Sequence, residues 1–199
     1  MRKSGFAHPT RLEAPAAVRN TPWWYSSLIN IERLATSDTA QEHSAMVAEG
    51  LRRHPAYYPI FFEHTVDLTS KAGADTAALA QFAKQAGNSA QDGQSMYARI
   101  YWYADWSQYR GRLFIDGKAE WPLMRAAFDD LLRRYPSDWN KSGYAYFACV
   151  AGDQAVARRL LAELGPRVSL DAWSAGGQSY LKKCQRWANP AEKQDGITL

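Results

Sequence analysis

The sequence contains little cysteine and histidine, two and four residues respectively in a chain of 199. So few cysteines exclude a disulfide-rich scaffold, and the chain is long enough to bury a core without one. No HExxH motif or paired CxxC motif is present, so we expect no metal site and no cofactor. Cys149 and Cys184 lie in apolar, helical stretches and are predicted to be free, buried thiols. A redox pair is the alternative, and it requires the last helix to pack on the segment that holds Cys149.

Long apolar runs are also missing. No window approaches the roughly 18 residues that a membrane span requires. The N-terminal segment is interrupted by Gly5, Pro9 and Glu13 before an apolar stretch develops, which is unlike a secretory signal. Together with the low cysteine content, these absences predict a cytoplasmic protein without a membrane span.

A strong charge of one sign is absent too, since the formal net charge is only +4. The basic residues occur in pairs near the ends of predicted helices, where cations interact favourably with the helix dipole. These pairs are Arg52-Arg53, Arg133-Arg134, Arg158-Arg159 and Lys182-Lys183. The pattern favours solvated helix ends over a nucleic-acid-binding stripe. Single-stranded nucleic acid stacked on exposed aromatic rings remains a weaker alternative.

Catalytic motifs such as GxSxG and GxGxxG are not found. The segment from Gly111 to Lys118 superficially resembles a phosphate loop. It has five residues between its glycines and Ala119 where a hydroxyl is needed, whereas the motif requires four residues and Ser or Thr. We therefore assign no catalytic residue, and an enzyme is the less favoured class. Asp67, Asp129 and Asp130 are interpreted as charges on helix surfaces.

Aromatic residues are abundant, with eight Trp and eleven Tyr, and segments with helical periodicity follow one another along most of the chain. The predicted helices span about 38–54, 59–70, 75–87, 94–106, 121–135, 140–151, 154–164 and 171–187. Asp38, Asp75 and Asp171 are expected to cap helices, and Gly87 to end one. The predicted fold is all-α: a TPR-like α-α superhelix of stacked antiparallel helical pairs.

The domain boundaries follow from the same pattern. Residues 1–36 are rich in proline and carry the aromatic cluster Trp23-Trp24-Tyr25, so they are predicted to form an irregular N-terminal arm. Residues 37–188 form the helical domain, and 189–199 a flexible C-terminal tail. Residues 107–120 are an insertion that a repeat of about 34 residues lacks.

Five ordered segments between Pro55 and Ala188 carry a resemblance: YYPIFFEHTVDL, DGQSMYARIYWYADW, EWPLMRAAFDDLLRRYPSDWN, FACVAGD and CQRWA. In combination they resemble a bacterial family of uncharacterised domains with tetratricopeptide-like helical pairs. Members often have a Trp-Gly-Gly corner where this chain has Lys71-Ala72-Gly73-Ala74. The resemblance implies the helical-pair fold and implies no reaction, cofactor or catalytic residue.

The candidate binding residues are Arg99, Trp102, Tyr103, Trp106 and Trp121. The first four have the spacing i, i+3, i+4 and i+7, which places them on one face of a helix. A second apolar face carries Tyr97, Ile100, Tyr101 and Ala104. Such a helix is either buried on both faces or presents one face to a partner, with Arg99 stacked on Trp102 or Tyr103 in either case.

Two functions from different classes remain open. The favoured one is a protein-interaction scaffold that binds a protein or peptide on the aromatic and Arg-lined face. The alternative is a small-ligand-binding protein or enzyme with an aromatic pocket around Tyr97, Trp102, Tyr103 and Trp121, in which Arg99 holds an anion. An open groove would support the scaffold, and a closed pocket with converging polar groups would support the alternative.

Overall fold

The computed structural model describes residues 15–34, 40–70, 74–89, 91–173 and 176–190. Every regular element in these ranges is helical, which confirms the predicted all-α class. The α-helices are α1 (Ala16–Arg19), α2 (Pro22–Leu34), α3 (Ala40–Arg53), α4 (Tyr58–Ser70), α5 (Thr76–Ser89), α6 (Ser95–Ala104), α7 (Leu113–Asp116), α8 (Trp121–Arg134), α9 (Asp138–Ala151), α10 (Gln154–Leu164) and α11 (Gly177–Ala188). A π-helical turn, Asp105–Tyr109, continues α6, and two 3-10 turns, Gly165–Arg167 and Leu170–Ala172, precede α11. None of the helices described here has both the length and the apolar character needed to cross a membrane.

The chain divides into two units, Met1–Asp67 (unit 1) and Leu68–Leu199 (unit 2). The division falls within α4, not between residues 36 and 37. The described part of the expected irregular arm is helical, so that expectation is wrong for α1 and α2. Pro22 does not prevent helix formation because it is the first residue of α2, where its missing N–H is not needed. The described ranges exclude residues 1–14 and residues 191–199. The second of these segments contains most of the proposed tail.

The core of unit 1 forms where α2 packs against α3. Tyr25 and Ile29 lie one turn apart on α2 and are both buried, as the helical period requires. They cluster with Met46 and Val47 of α3 and with Ile60 of α4. This cluster holds the helices of unit 1 that carry the charged residues described below.

In unit 2, consecutive long helices pack on one another: α5 on α6, α6 on α8, α8 on α9, α9 on α10 and α10 on α11. The core is aromatic. Phe128 of α8 stacks in parallel on Tyr144 of α9, with ring centroids 4.9 Å apart. Phe147 lies next to Phe128 at 5.6 Å, and all three side chains are buried. The abundance of aromatic residues is therefore explained largely by packing between helices.

Several helix ends follow the expected capping chemistry. Asp75 Oδ1 accepts hydrogen bonds from the backbone N–H groups of Ala77 and Ala78, at 3.0 and 2.9 Å, which confirms the predicted cap. Two predicted ends are wrong: α5 continues past Gly87, and α11 begins at Gly177 after a 3-10 turn that contains Asp171. The predicted cap Asp38 and the corner Lys71–Gly73 lie outside the described residues.

A disulfide joins Cys149 of α9 to Cys184 of α11, with Cα atoms 5.9 Å apart. This separation lies within the usual range for disulfides. The prediction of two free thiols is therefore wrong. The sequence shows that both cysteines occupy helices, but not that α11 folds back onto α9 and brings the two residues together.

Gly143 of α9 is required by a close approach between helices. A Cβ at this position would overlap the six-membered ring of the Trp102 indole. We expect Gly143→Ala to destabilise the protein by about 1–3 kcal/mol, because overpacking outweighs the gain of about 1 kcal/mol that alanine brings to a helix interior. Urea unfolding at equilibrium measures the difference.

Gly87→Ala is the matched control for this prediction. Gly87 is also inside a helix, but a Cβ there would lie 3.5 Å from the Tyr97 Cβ, an ordinary contact. Its substitution should be neutral or stabilising by up to about 1 kcal/mol. Equal effects at the two glycines would show that Trp102 does not constrain Gly143.

Candidate functional site

The candidate face of α6 is divided between core and surface. Trp102 is 7% exposed, whereas Trp106, one turn further along, is 60% exposed. Arg99 and Tyr103 have intermediate exposure. The two interpretations of this face, core and binding surface, therefore apply to different residues of the same helix.

Trp102 is a core residue that supports an exposed ring. Its indole stacks on that of Trp139 in α9, with centroids 4.2 Å apart and planes 16° apart. Its other side contacts Phe128 and the edge of Phe147. Trp139 is itself 46% exposed. Trp102 therefore fixes a second tryptophan at the surface and is largely covered by it.

Arg99 interacts with the corner between α8 and α9. Its guanidinium lies 5.2 Å from the centroid of the Tyr135 ring, a cation–π distance, and its Nε is 3.7 Å from Asp92 Oδ2. The Tyr135 hydroxyl donates to Asp92 Oδ1 at 2.9 Å. Tyr135, which is 43% exposed, was not among the rings predicted from the sequence to stack on Arg99; those were Trp102 and Tyr103.

The π-helical turn positions Trp106. Its ring lies 5.8 Å from that of Tyr103. The buried Asp105 anchors the turn, since its Oδ2 accepts a hydrogen bond from the Tyr146 hydroxyl at 2.6 Å and its Oδ1 accepts one from the Gly111 N–H at 2.8 Å. A π turn often re-aims a side chain at a functional position, and here it leaves an exposed indole next to α6.

These contacts define one surface, which we call the aromatic strip: Arg99, Tyr103, Trp106, Tyr135 and Trp139. Successive turns of α6 carry Arg99, then Trp102 and Tyr103, and the π-helical turn that follows carries Trp106. Tyr135 lies against the first of these turns and Trp139 against the second. The strip is an open surface, with the rings of Trp106, Tyr135 and Trp139 substantially exposed.

Trp121, the fifth candidate, belongs to a different part of unit 2. Its indole Nε1 donates to Asp153 Oδ2 at 2.9 Å. Its ring contacts are with Phe114 and Tyr144. Trp121 thus ties the start of α8 to the α9–α10 corner, and the structure does not bring it into the aromatic strip.

The aromatic pocket of the alternative function is not formed by the residues proposed for it. Tyr97 lines a cleft of about 240 Å³, and neither Trp102 nor Trp121 is part of its lining. The other lining residues are Lys84, Gly87, Asn88, Gln94, Leu123, Ala126 and Ala127. Lys84 Nζ pairs with Glu120 at 2.6 Å. The Tyr97 hydroxyl accepts the Glu120 N–H at 3.2 Å, and desolvation raises the Tyr97 pKa. The Lys84 side chain, Glu120 and the Tyr97 hydroxyl therefore interact with one another.

Two aspartates expected at the surface are buried. Asp130 is 4% exposed; its Oδ2 accepts the Ser95 N–H at 3.1 Å, and its Oδ1 pairs with Arg134 at 3.2 Å. Asp67 is 5% exposed. The surface interpretation is wrong for both and correct for the exposed Asp129. Helical spacing did not identify Asp130, because its partner Ser95 belongs to another helix.

Asp67 belongs to a group in unit 1 that we call the histidine cluster: Glu32, His43, His64 and Asp67. His43 Nε2 lies 3.0 Å from Asp67 Oδ2, and His43 Nδ1 lies 2.9 Å from Glu32 Oε2. His64 Nδ1 is 3.9 Å from the same Asp67 oxygen. The hydrogen bond to Asp67 raises the pKa of His43. Burial lowers this pKa, and the hydrogen bond to Glu32 raises it further.

The histidine cluster was not predicted from the sequence because its members come from α2, α3 and α4. The spacing of His64 and Asp67 on one helix face was the available signal.

No family model, curated protein or solved structure matches the chain.

Proposed function

We propose that the protein is an interaction module that binds a protein or peptide partner on the aromatic strip of unit 2. The observation that carries the proposal is the exposure of Trp106, Tyr135 and Trp139 on one open surface, beside Arg99. Trp, Tyr and Arg are the residue types that most often dominate binding energy at protein interfaces.

The strip is held in place before any partner binds. Trp139 rests on the buried Trp102 at 4.2 Å, and the turn that carries Trp106 is anchored through Asp105. Rigid aromatic side chains offer a large contact area and lose little conformational entropy on binding. We therefore assign the strip a partner segment with apolar side chains, such as proline, leucine or methionine, that can lie across the rings.

The packing of consecutive helices supports a TPR-like arrangement as the framework of this surface. Each of α8, α9 and α10 packs against the next helix, as expected in a stack of helical pairs. The resemblance noted in the sequence agrees with that framework and adds no reaction. We propose a TPR-like scaffold in preference to an enzyme, because the cleft lined by Tyr97 does not include Trp102 or Trp121, the other residues suggested for an enzyme pocket.

The cytoplasmic location suggested by the sequence remains a prediction, and the disulfide argues against it. Stable disulfides persist mainly in oxidising compartments. We therefore propose that the module functions where Cys149 and Cys184 stay joined.

Truncating the exposed tryptophans should weaken partner binding strongly. The double variant Trp106→Ala, Trp139→Ala is expected to weaken the complex by more than about 2 kcal/mol, roughly 30-fold in Kd. Proteins retained from a native-host extract by the immobilised wild-type chain provide the partner, and calorimetry with the purified partner measures the affinity. Trp102 is left intact because it is buried and its truncation would damage the fold.

Trp187→Ala is the matched control. Trp187 lies on α11 of the same unit and is 40% exposed, but it is not part of the strip. It should retain wild-type affinity, and circular dichroism should show unchanged helix content in all variants. A partner that binds the double variant as tightly as the wild type would contradict the proposal.

A further inference from the structure

We infer that His43, His64 and Asp67 form a binding site for a divalent transition-metal ion of the Zn²⁺ class. One side-chain ligand atom from each of these residues lies within 4.8 Å of the other two. The site lies in unit 1, so the inference does not depend on the function proposed for unit 2.

The distances suit a metal ion. Zn²⁺ binds nitrogen and carboxylate oxygen at about 2.0–2.2 Å, which places two tetrahedral ligands roughly 3.3 Å apart. The Asp67 Oδ2 atom lies 3.0 Å from His43 Nε2 and 3.9 Å from His64 Nδ1. All three ligand atoms lie within 4.8 Å of one another, so binding requires the side chains to rotate until each atom reaches bonding distance of one ion.

The fold supplies these ligands from two helices. His64 and Asp67 lie three positions apart on α4, so their side chains project from the same face. His43 reaches that face from α3. The side chains of His43, His64 and Asp67 retain only 14%, 16% and 6% of their exposure. A largely buried site strengthens ion–ligand interactions that bulk water would weaken.

Glu32 provides the hydrogen-bond partner that metal-binding histidines usually have on their other ring nitrogen. Its Oε2 lies 2.9 Å from His43 Nδ1, the ring nitrogen that does not face Asp67. A carboxylate in this position keeps the proton on Nδ1 and directs the Nε2 lone pair towards the ion. The arrangement is a carboxylate–histidine–metal relay with Glu32 as the outer member.

The donor set selects the kind of metal. Two imidazoles and one carboxylate suit borderline ions such as Zn²⁺, whereas Mg²⁺ and Ca²⁺ prefer oxygen ligands. Three protein ligands leave a further coordination position that water can fill. The site is therefore assigned to a transition metal with an open position, not to a closed structural centre.

Zinc titration of the full chain tests this inference. The protein is treated with a chelator, kept oxidised so that Cys149 and Cys184 do not supply thiolates, and titrated calorimetrically with zinc sulfate. We expect one Zn²⁺ per chain, a rise in melting temperature with zinc because the folded state binds it, and no comparable binding of Mg²⁺.

Variants distinguish the proposed ligands from surface histidines. His64→Ala and Asp67→Asn should each abolish stoichiometric zinc binding, and Glu32→Gln should weaken it about 10–100-fold, the usual effect of losing a second-shell partner. His54→Ala is the matched control, since His54 bonds the Asn20 carbonyl instead. Circular dichroism checks that each variant folds, and His64→Gln replaces His64→Ala if that variant does not.

Two outcomes would overturn the inference. One is wild-type protein that binds no stoichiometric zinc, which would leave His43 as a side chain hydrogen-bonded between Glu32 and Asp67. The other is zinc binding that survives both His64→Ala and Asp67→Asn, which would place the ion elsewhere.

Discussion

Reduction of the disulfide between Cys149 and Cys184 should lower the free energy of unfolding by about 3–4 kcal/mol. The two cysteines are 35 residues apart in sequence, and a loop of that length restricts the unfolded chain by this amount in the chain-entropy model. For a unit of this size the melting temperature should fall by roughly 10 °C or more. Thermal melts followed by circular dichroism, with and without reductant, measure the change.

The double variant Cys149→Ala, Cys184→Ala is the control for this prediction. It should melt near the temperature of the reduced wild type and should not respond to reductant. A wild-type melting temperature that reductant leaves unchanged would mean that the two thiols are free, as the sequence alone suggested. It would also remove the argument for an oxidising compartment.

The sequence predicted the helices of unit 2 well because their periodicity and end signals are local. The predicted helix 154–164 matches α10, and Asp153 caps it by accepting the Val156 N–H at 3.1 Å. Glycine was a weaker signal of where a helix ends. Gly152 ends α9 in a left-handed conformation, whereas Gly143 lies inside α9, where a Cβ would overlap the Trp102 ring. A glycine needed for close packing and one needed for a turn look the same in a sequence.

Features that depend on which helices meet were not predictable from spacing. The disulfide requires α11 to return to α9, and the histidine cluster requires α2, α3 and α4 to converge. The buried Asp67 shows the consequence. On its own helix it resembles an ordinary surface charge, whereas its contact with His43 of α3 helps to explain why a carboxylate occupies an interior position.

The aromatic strip was predictable only in part, because spacing along one helix does not show which other helices pack against it. The spacing of Arg99, Tyr103 and Trp106 placed them on one face of α6. It did not show that Trp139 would cover Trp102, or that Tyr135 would lie under Arg99. Both added residues come from the α8–α9 corner, which is separated from α6 by about thirty residues of sequence.

Truncation of Phe128 should be the most destabilising single substitution in the aromatic core of unit 2. Phe128 is fully buried. It stacks on Tyr144 at 4.9 Å and also contacts Trp102 and Phe147. Phe128→Ala removes the ring on which α6, α8 and α9 meet, and we expect it to cost about 3–5 kcal/mol. Denaturant unfolding with the disulfide intact measures this loss.

Two further variants show whether burial is the cause. Phe128→Leu keeps most of the apolar volume and should cost clearly less than Phe128→Ala. Trp106→Ala removes a larger side chain that is 60% exposed and should change stability by no more than about 0.5 kcal/mol. A domain is usually stable by only about 5–15 kcal/mol, so Phe128→Ala should leave unit 2 close to the limit of folding while Trp106→Ala does not. If the two alanine variants were equally stable, the assignment of Phe128 to the core and Trp106 to the binding surface would be wrong.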